Sequence, residues 1–210
     1  YLITLELDDA TAFAYIRIGE CHEKLGNFAA AVSFYKKAVH EDPLLEKGWE
    51  LLTNRYCQEK NYQKGLYYIS KALKIEEDNP SYWRRYAEIN LKLNFYQEAV
   101  TGFEKCLSLE DDALENYIGL ADVFSFLGEF NDAIMILIKA QKKYKKVAEI
   151  EYRFAGLFFL VNKEKYGFTH LIEALKIDFE YHLILKEVYP IVFENKKVQQ
   201  LLRDFKKTME

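Results

Sequence analysis

Apolar and small residues along this chain recur first at helical intervals and then at a longer one. Tyr15, Ile18, Gly19 and His22 stand at i, i+3, i+4 and i+7, which is one face of an α-helix. Ala31, Tyr35 and Ala38 draw a second such stripe. Between the two lies Gly26-Asn27, and comparable pairs follow down the chain: Lys60-Asn61, Asn94-Phe95, Gly128-Glu129 and Asn162-Lys163. Gly and Asn tolerate the left-handed backbone that ends a helix. Each stretch therefore predicts two helices of about 12 to 14 residues joined by a tight turn.

The longer interval is carried by small residues. Ala38, Ala72, Cys106, Ala140 and Ala174 are 34 apart, as are Ala31, Gly65, Ala99, Ala133 and Gly167, and again Gly19, Thr53, Ala87, Ala121 and Ala155. Bulky residues keep the same step: Tyr15, Trp49, Trp83 and Tyr117; then Ile18, Leu52, Tyr86, Leu120 and Phe154; then Tyr35, Ile69, Phe103, Leu137 and Leu171. A side chain larger than Ala or Gly would force crossing helices apart, so the small ladders mark where two helices meet.

The unit Tyr15, Ile18, Gly19, His22, Ala31, Tyr35, Ala38, Pro43 resembles the tetratricopeptide repeat, with its 34-residue period and W..LG..Y..A...F..P pattern. The resemblance implies an all-α fold: a right-handed superhelix, or solenoid, of antiparallel helix hairpins. Five repeats are expected at 12–45, 46–79, 80–113, 114–147 and 148–181. Residues 1–11 align with the end of a preceding repeat, and 182–210 read as a divergent sixth repeat or cap. Two departures stand out. The closing proline occurs only as Pro43, and Glu151 stands where an aromatic is expected, predicting a slightly different packing angle for unit five. Pro190 predicts a break near Tyr189, because proline removes a helix hydrogen bond and clashes with the preceding turn.

Composition fits this picture. Half of the 210 residues are hydrophobic, and only 9 Gly and 3 Pro punctuate the chain. The formal net charge of -4 gives no electrostatic reason to expect nucleic acid or an anionic membrane as partner. Three cysteines without CxxC spacing argue against a disulfide framework or zinc site and for a reducing compartment, so a cytoplasmic location is expected. No apolar stretch reaches the roughly 18 residues of a membrane span. The chain begins with Tyr1, inside what aligns as a second helix, so it is expected to be part of a longer protein. The apolar edge at Leu2, Ile3 and Leu5 would then offer a route to homo-oligomers.

The resemblance implies that first helices line a concave groove holding a protein or peptide. Read by period, the groove candidates are Lys47, Glu50, Asn54, Arg84 and Glu88, then Glu115, Ile118, Asp122, Phe126, Tyr152 and Leu160. In the first group the charges can neutralise one another: Glu20 with Lys24 and Glu88 with Lys92 at i,i+4, and Glu50 with Arg84 on the next helix. In the second group Glu115 and Asp122 have no evident basic neighbour, although Glu149 can pair with Arg153. Gly119 and Gly156, in mid-helix, either leave room for a ligand side chain or serve close helix packing. The carboxylate clamp by which some tetratricopeptide domains hold chaperone tails finds only Arg85 in one register and Asn54 in the next, so it is not expected.

Catalytic readings lack residues. His22-Glu23 has Gly26 where HExxH needs histidine, His22 falls in an apolar ladder as a core histidine, and no phosphate loop or nucleophile elbow occurs. Lys139, Lys142, Lys143, Lys145 and Lys146 close a helix, where cations suit the dipole. The sequence thus predicts a non-enzymatic protein-interaction scaffold, without cofactor or metal. The alternative is a non-catalytic arm of a larger enzyme or regulatory protein.

Overall fold

The computed structural model describes residues 11–109 and 111–209. Leu2, Ile3 and Leu5, the expected oligomerisation edge, lie outside them. Among the described residues the chain is helical throughout, with no strand. It divides into two compact units, Tyr1–Glu110 and Asp111–Glu210. The first holds α1 (Thr11–Lys24), α2 (Phe28–Glu41), α3 (Glu46–Gln58), α4 (Tyr62–Ile75), α5 (Pro80–Lys92) and α6 (Tyr96–Ser108). The second holds α7 (Leu114–Leu127), α8 (Phe130–Lys143), α9 (Ala148–Leu160) and α10 (Glu164–Ile177), followed by a 3-10 turn at Glu180–Leu183. The short α11 (Ile184–Val188) and α12 (Pro190–Phe193) and the longer α13 (Lys196–Lys207) complete it.

Every hairpin turns by the same device. One residue enters the left-handed region: Gly26 at φ 75°, Lys60 at 58°, Asn94 at 61°, Gly128 at 79° and Asn162 at 58°. The next amide then donates back across the turn, Asn27 to His22 at 2.8 Å, Asn61 to Tyr56 at 2.8 Å, Phe95 to Asn90 at 2.9 Å, Glu129 to Phe124 at 2.9 Å and Lys163 to Phe158 at 2.8 Å. These bonds satisfy carbonyls that a helix end otherwise leaves unpaired. Asn27 and Asn61 also cap the helix that follows, their side chains accepting from Ala30 and Lys64. A helix end and a helix start are thus compressed into two residues, which fixes the partners as antiparallel neighbours.

The small ladders sit where those neighbours cross. In the first unit Ala31, Ala38, Ala72, Ala87, Ala99 and Cys106 are completely buried; in the second, so are Ala121, Ala133, Ala140, Ala155 and Ala174. A Cβ added at Gly19 would lie 2.4 Å from the Tyr35 ring, and one at Gly65 2.8 Å from the Cys57 sulfur. Within the first unit α2 packs on α3 and α4 on α5, and within the second α8 packs on α9. Large residues fill the remaining space, Tyr35, Leu52 and Ile69 in one unit and Leu120, Leu137, Phe154 and Leu171 in the other.

The aromatic ladder has a second task. Trp49 Nε1 donates to the Pro43 carbonyl at 2.9 Å, and Trp83 Nε1 to the Glu77 carbonyl at 2.6 Å. Tyr117 does the same from a hydroxyl, donating to Asp112 Oδ1 at 3.0 Å. Each ring packs inward while its polar edge ties down the link leading into its own hairpin. At the fifth position Glu151 replaces the aromatic. It is nearly buried, and its carboxylate accepts from Gln141 of α8 at 2.8 Å and meets His170 Nδ1 of α10 at 2.6 Å. The substitution therefore exchanges ring packing for a polar tie between three helices.

Two details differ from the sequence reading. His22 is half-buried rather than core, stacked on Phe34 with ring centroids 5.4 Å apart. Glu20 and Glu88 pair with Arg17 at 3.0 Å and Arg85 at 2.9 Å, three residues earlier, instead of with Lys24 and Lys92. The break at Pro190 falls where proline chemistry requires, Tyr189 adopting φ -129° and ψ 60° between α11 and α12.

Tyrosines in the packed interior resist ionisation because burial disfavours the phenolate. Burial pushes Tyr68, Tyr82 and Tyr181 up to about 12, and Tyr35, Tyr152 and Tyr189 still higher. In an unfolded chain tyrosine ionises near pH 10. The folded state thus holds protons that the unfolded state releases, so stability is full below pH 10 and falls as pH rises towards 12. Urea unfolding followed by circular dichroism at pH 8, 10 and 11.5 should show that decline, with tyrosinate absorbance appearing together with loss of helix.

Candidate functional site

In the first unit a cleft of about 580 Å³ opens between α3 and α5. Asn54, Cys57 and Gln58 of α3 form one wall, Arg85, Glu88, Ile89 and Lys92 of α5 the other, and Tyr62 of α4 closes the end. That volume falls in the range of clefts that hold small ligands or peptide side chains, roughly 300 to 1,000 Å³. The chemistry is mixed. Ile89 is a buried apolar floor, Arg85 and Glu88 form an exposed ion pair, Lys92 is exposed, and Asn54 offers an amide that can both donate and accept. Asn54 Nδ2 approaches Glu50 Oε1 only at 3.5 Å, a long contact that an incoming backbone carbonyl can replace. Burial pushes the Cys57 thiol up, which disfavours the thiolate.

Of the residues expected to line a groove here, Asn54 and Glu88 lie in the cleft. Lys47 and Glu50 form an ion pair at 3.1 Å beside it, and half-buried Arg84 is not among its walls. Cys57, Tyr62, Arg85 and Ile89 were not legible as lining residues. Gln58 and Lys92 were, since they belong to the 34-residue ladder Lys24, Gln58, Lys92, Phe126, Leu160.

The second unit departs from the sequence reading. Asp122 was expected to lack a basic partner, yet it receives both Nε and Nη2 of Arg153, each at 2.8 Å. Glu149 takes the remaining Nη1 at 3.1 Å, as expected. The guanidinium is 4% exposed. Burial alone would lower its pKa, but the Asp122 and Glu149 carboxylates outweigh this and hold it charged. The space at Gly156 is occupied by the chain itself: Tyr189 lies so close that a Cβ on Gly156 would fall 2.3 Å from its ring. The Tyr189 hydroxyl also reaches Ser125 of α7 at 3.5 Å.

Tyr152, expected in the groove, is fully buried and donates to the Asp178 carbonyl at 2.8 Å. Ile118 is buried and Leu160 half-buried, whereas Phe126 is 48% exposed and Glu115 is exposed. The room for a ligand side chain at Gly156 is therefore taken by a self-contained contact: Tyr189 on Gly156, over the Asp122–Arg153–Glu149 network. Among the described residues no group of His, Cys, Asp or Glu has metal-site geometry, and no helix is long and apolar enough to cross a membrane.

Hairpins of this kind, repeated at 34 residues and meeting through small residues, define a tandem helical-repeat protein. The model of the tetratricopeptide repeat matches residues 12–45, the first of these hairpins. It is 23% identical over 153 residues to the general transcriptional corepressor trfA of Dictyostelium discoideum, covering 70% of this chain and 11% of that one. It is 27% identical over 120 residues to the superkiller complex protein 3 of Mus musculus, covering 57% and 8%. The chain thus spans about a tenth of the length of the curated relatives it matches. Among solved structures it resembles YrrB, described as a tetratricopeptide protein with an unusual peptide-binding site, at TM-score 0.76 and 17% identity over 89% of this chain and 96% of that one. It also resembles the MamA protein, at TM-score 0.75 and 17% identity over 86% and 96%. These likenesses show the fold, an all-α tetratricopeptide solenoid.

Removing Arg153 leaves Asp122 and Glu149 facing each other without a cation. Arg153→Ala should cost about 3 kcal/mol, the lower end for a broken buried pair because Glu149 keeps some water contact. The loss should appear as a lower urea midpoint at unchanged slope.

Proposed function

We propose that this chain is a protein-interaction scaffold that holds an extended segment of a partner protein in the cleft between α3 and α5. The observation that carries the reading is the cleft's composition, a buried apolar floor beneath one amide and a row of alternating charge. The Asn54 amide can pair with a partner's backbone, which gives binding without sequence preference. Ile89 takes an apolar side chain, and Arg85, Glu88 and Lys92 select the charges flanking it. Nothing in that set supplies a base–nucleophile pair or an activated water, which favours a holding role over a catalytic one. A solved structure of the same fold, YrrB, is described as having a peptide-binding site, which is consistent with the proposal. A cytoplasmic location belongs to the same proposal and rests on Cys21, Cys57 and Cys106 being thiols outside any disulfide.

A second reading is that the repeats are a non-catalytic arm of a larger regulatory protein. It is favoured by the much greater length of the matching corepressor and superkiller proteins. Both readings use the same cleft.

A peptide array probed with the wild-type chain and with an Asn54→Ala/Arg85→Ala variant tests the cleft. The variant should lose the bound set, with affinities falling about tenfold or more, that is about 1.4 kcal/mol. Identical binding by the two proteins would remove this cleft from the function.

A further inference from the structure

A second cleft lies in the other unit, between α8 and α10, and the concave-groove reading does not use it. It encloses about 540 Å³ and is lined by Ile138, Gln141 and Lys142 of α8, Lys145 and Lys146 of the following link, Glu151 of α9, and Glu173 and Ile177 of α10. Its apolar part is open to solvent, Ile138 being 43% and Ile177 36% exposed. Met135, one turn before Ile138 on the same helix, extends the strip and is 56% exposed.

Along one rim stand Lys142, Lys145 and Lys146, all exposed. None of the three makes an ion pair among the described residues, whereas neighbouring Lys143 is held by Asp112 at 2.6 Å and Lys176 by Glu173 at 3.7 Å. Lys146 is fixed in a left-handed turn at φ 55°, so the rim is set by the backbone and not only by flexible side chains. The buried carboxylate at the floor is already satisfied, since Glu151 is engaged by Gln141 and His170.

We infer that this cleft is a docking site for an acidic amphipathic segment of a partner protein. Its aliphatic side chains lie over Ile138 and Ile177, and its carboxylates meet Lys142, Lys145 and Lys146. Charge complementarity and an apolar floor together specify that occupant. Nucleic acid is disfavoured, because no aromatic ring lines the cleft for base stacking and two carboxylates, Glu151 and Glu173, line it where phosphates would lie. The inference is independent of the α3–α5 cleft.

Fluorescence anisotropy tests it on the full chain, with a fluorescein-labelled synthetic peptide carrying leucine at i, i+4 and glutamate elsewhere. A scrambled peptide of the same composition and an oligouridylate serve as comparisons. Wild type should bind the ordered peptide saturably and better than the scrambled one. The Lys142→Glu/Lys145→Glu/Lys146→Glu variant should weaken it by about tenfold or more, with affinity falling as salt rises. Ile138→Ser should weaken it several-fold, and Asn54→Ala should leave it unchanged. Circular dichroism verifies that each variant is helical. Absence of saturable binding, equal affinity in the lysine and Ile138→Ser variants and wild type, or tighter binding of oligouridylate than of the ordered peptide overturns the inference.

Discussion

Two helices can cross at close range only where neither carries a side chain between their backbones, and that restriction organises this protein. At each crossing the chain places Ala, Gly, Thr or Cys, and every alanine in the three ladders is completely buried. Close approach then lets Tyr35, Leu52, Leu137 and Leu171 fill the flanks at interior density. The left-handed turn residue and its back-donated amide allow the second helix to return at once onto the first. Neither device suffices alone. A tight turn without small residues would splay the pair, and small residues without the turn would leave the second helix free to pack elsewhere.

Features set by one residue type at one period were legible before any coordinates. The turn pairs at 26–27, 60–61, 94–95, 128–129 and 162–163 all adopt the geometry that Gly and Asn chemistry implies, even where Lys60 fills the position. Proline chemistry likewise located the break at Tyr189. What the sequence hid were choices among several available partners. Arg17 and Arg85 take the glutamates that Lys24 and Lys92 could also have reached, because the longer guanidinium on the preceding turn presents several donors. Asp122 and Arg153 are 31 residues apart, three short of the 34-residue period, and only the stacking of α9 brings them together.

Gly156, for which the sequence left a ligand side chain and close packing both open, is instructive for the same reason. Gly156 signals a close approach, and sequence alone does not say by what. In the structure the visitor is Tyr189, which stands 34 residues after Ala155 at the break that Pro190 makes between α11 and α12. Burying that ring beside a salt-bridge network costs hydration of three charged groups. The bidentate geometry of Arg153 on Asp122 offsets much of that cost. The first unit has no such visitor and keeps its cleft open, so the two units treat equivalent faces differently.

The polar edge of the aromatic ladder reaches further than its own hairpin. Trp49, Trp83 and Tyr117 each anchor the strip of chain that delivers their helix, so the way into these three hairpins is secured by the hairpin itself and not by its predecessor. A repeat built in this way carries its own fastening. Gene duplication can then copy or delete whole hairpins without leaving a loose connection behind, and surface residues of one copy are free to diverge while its framework stays intact.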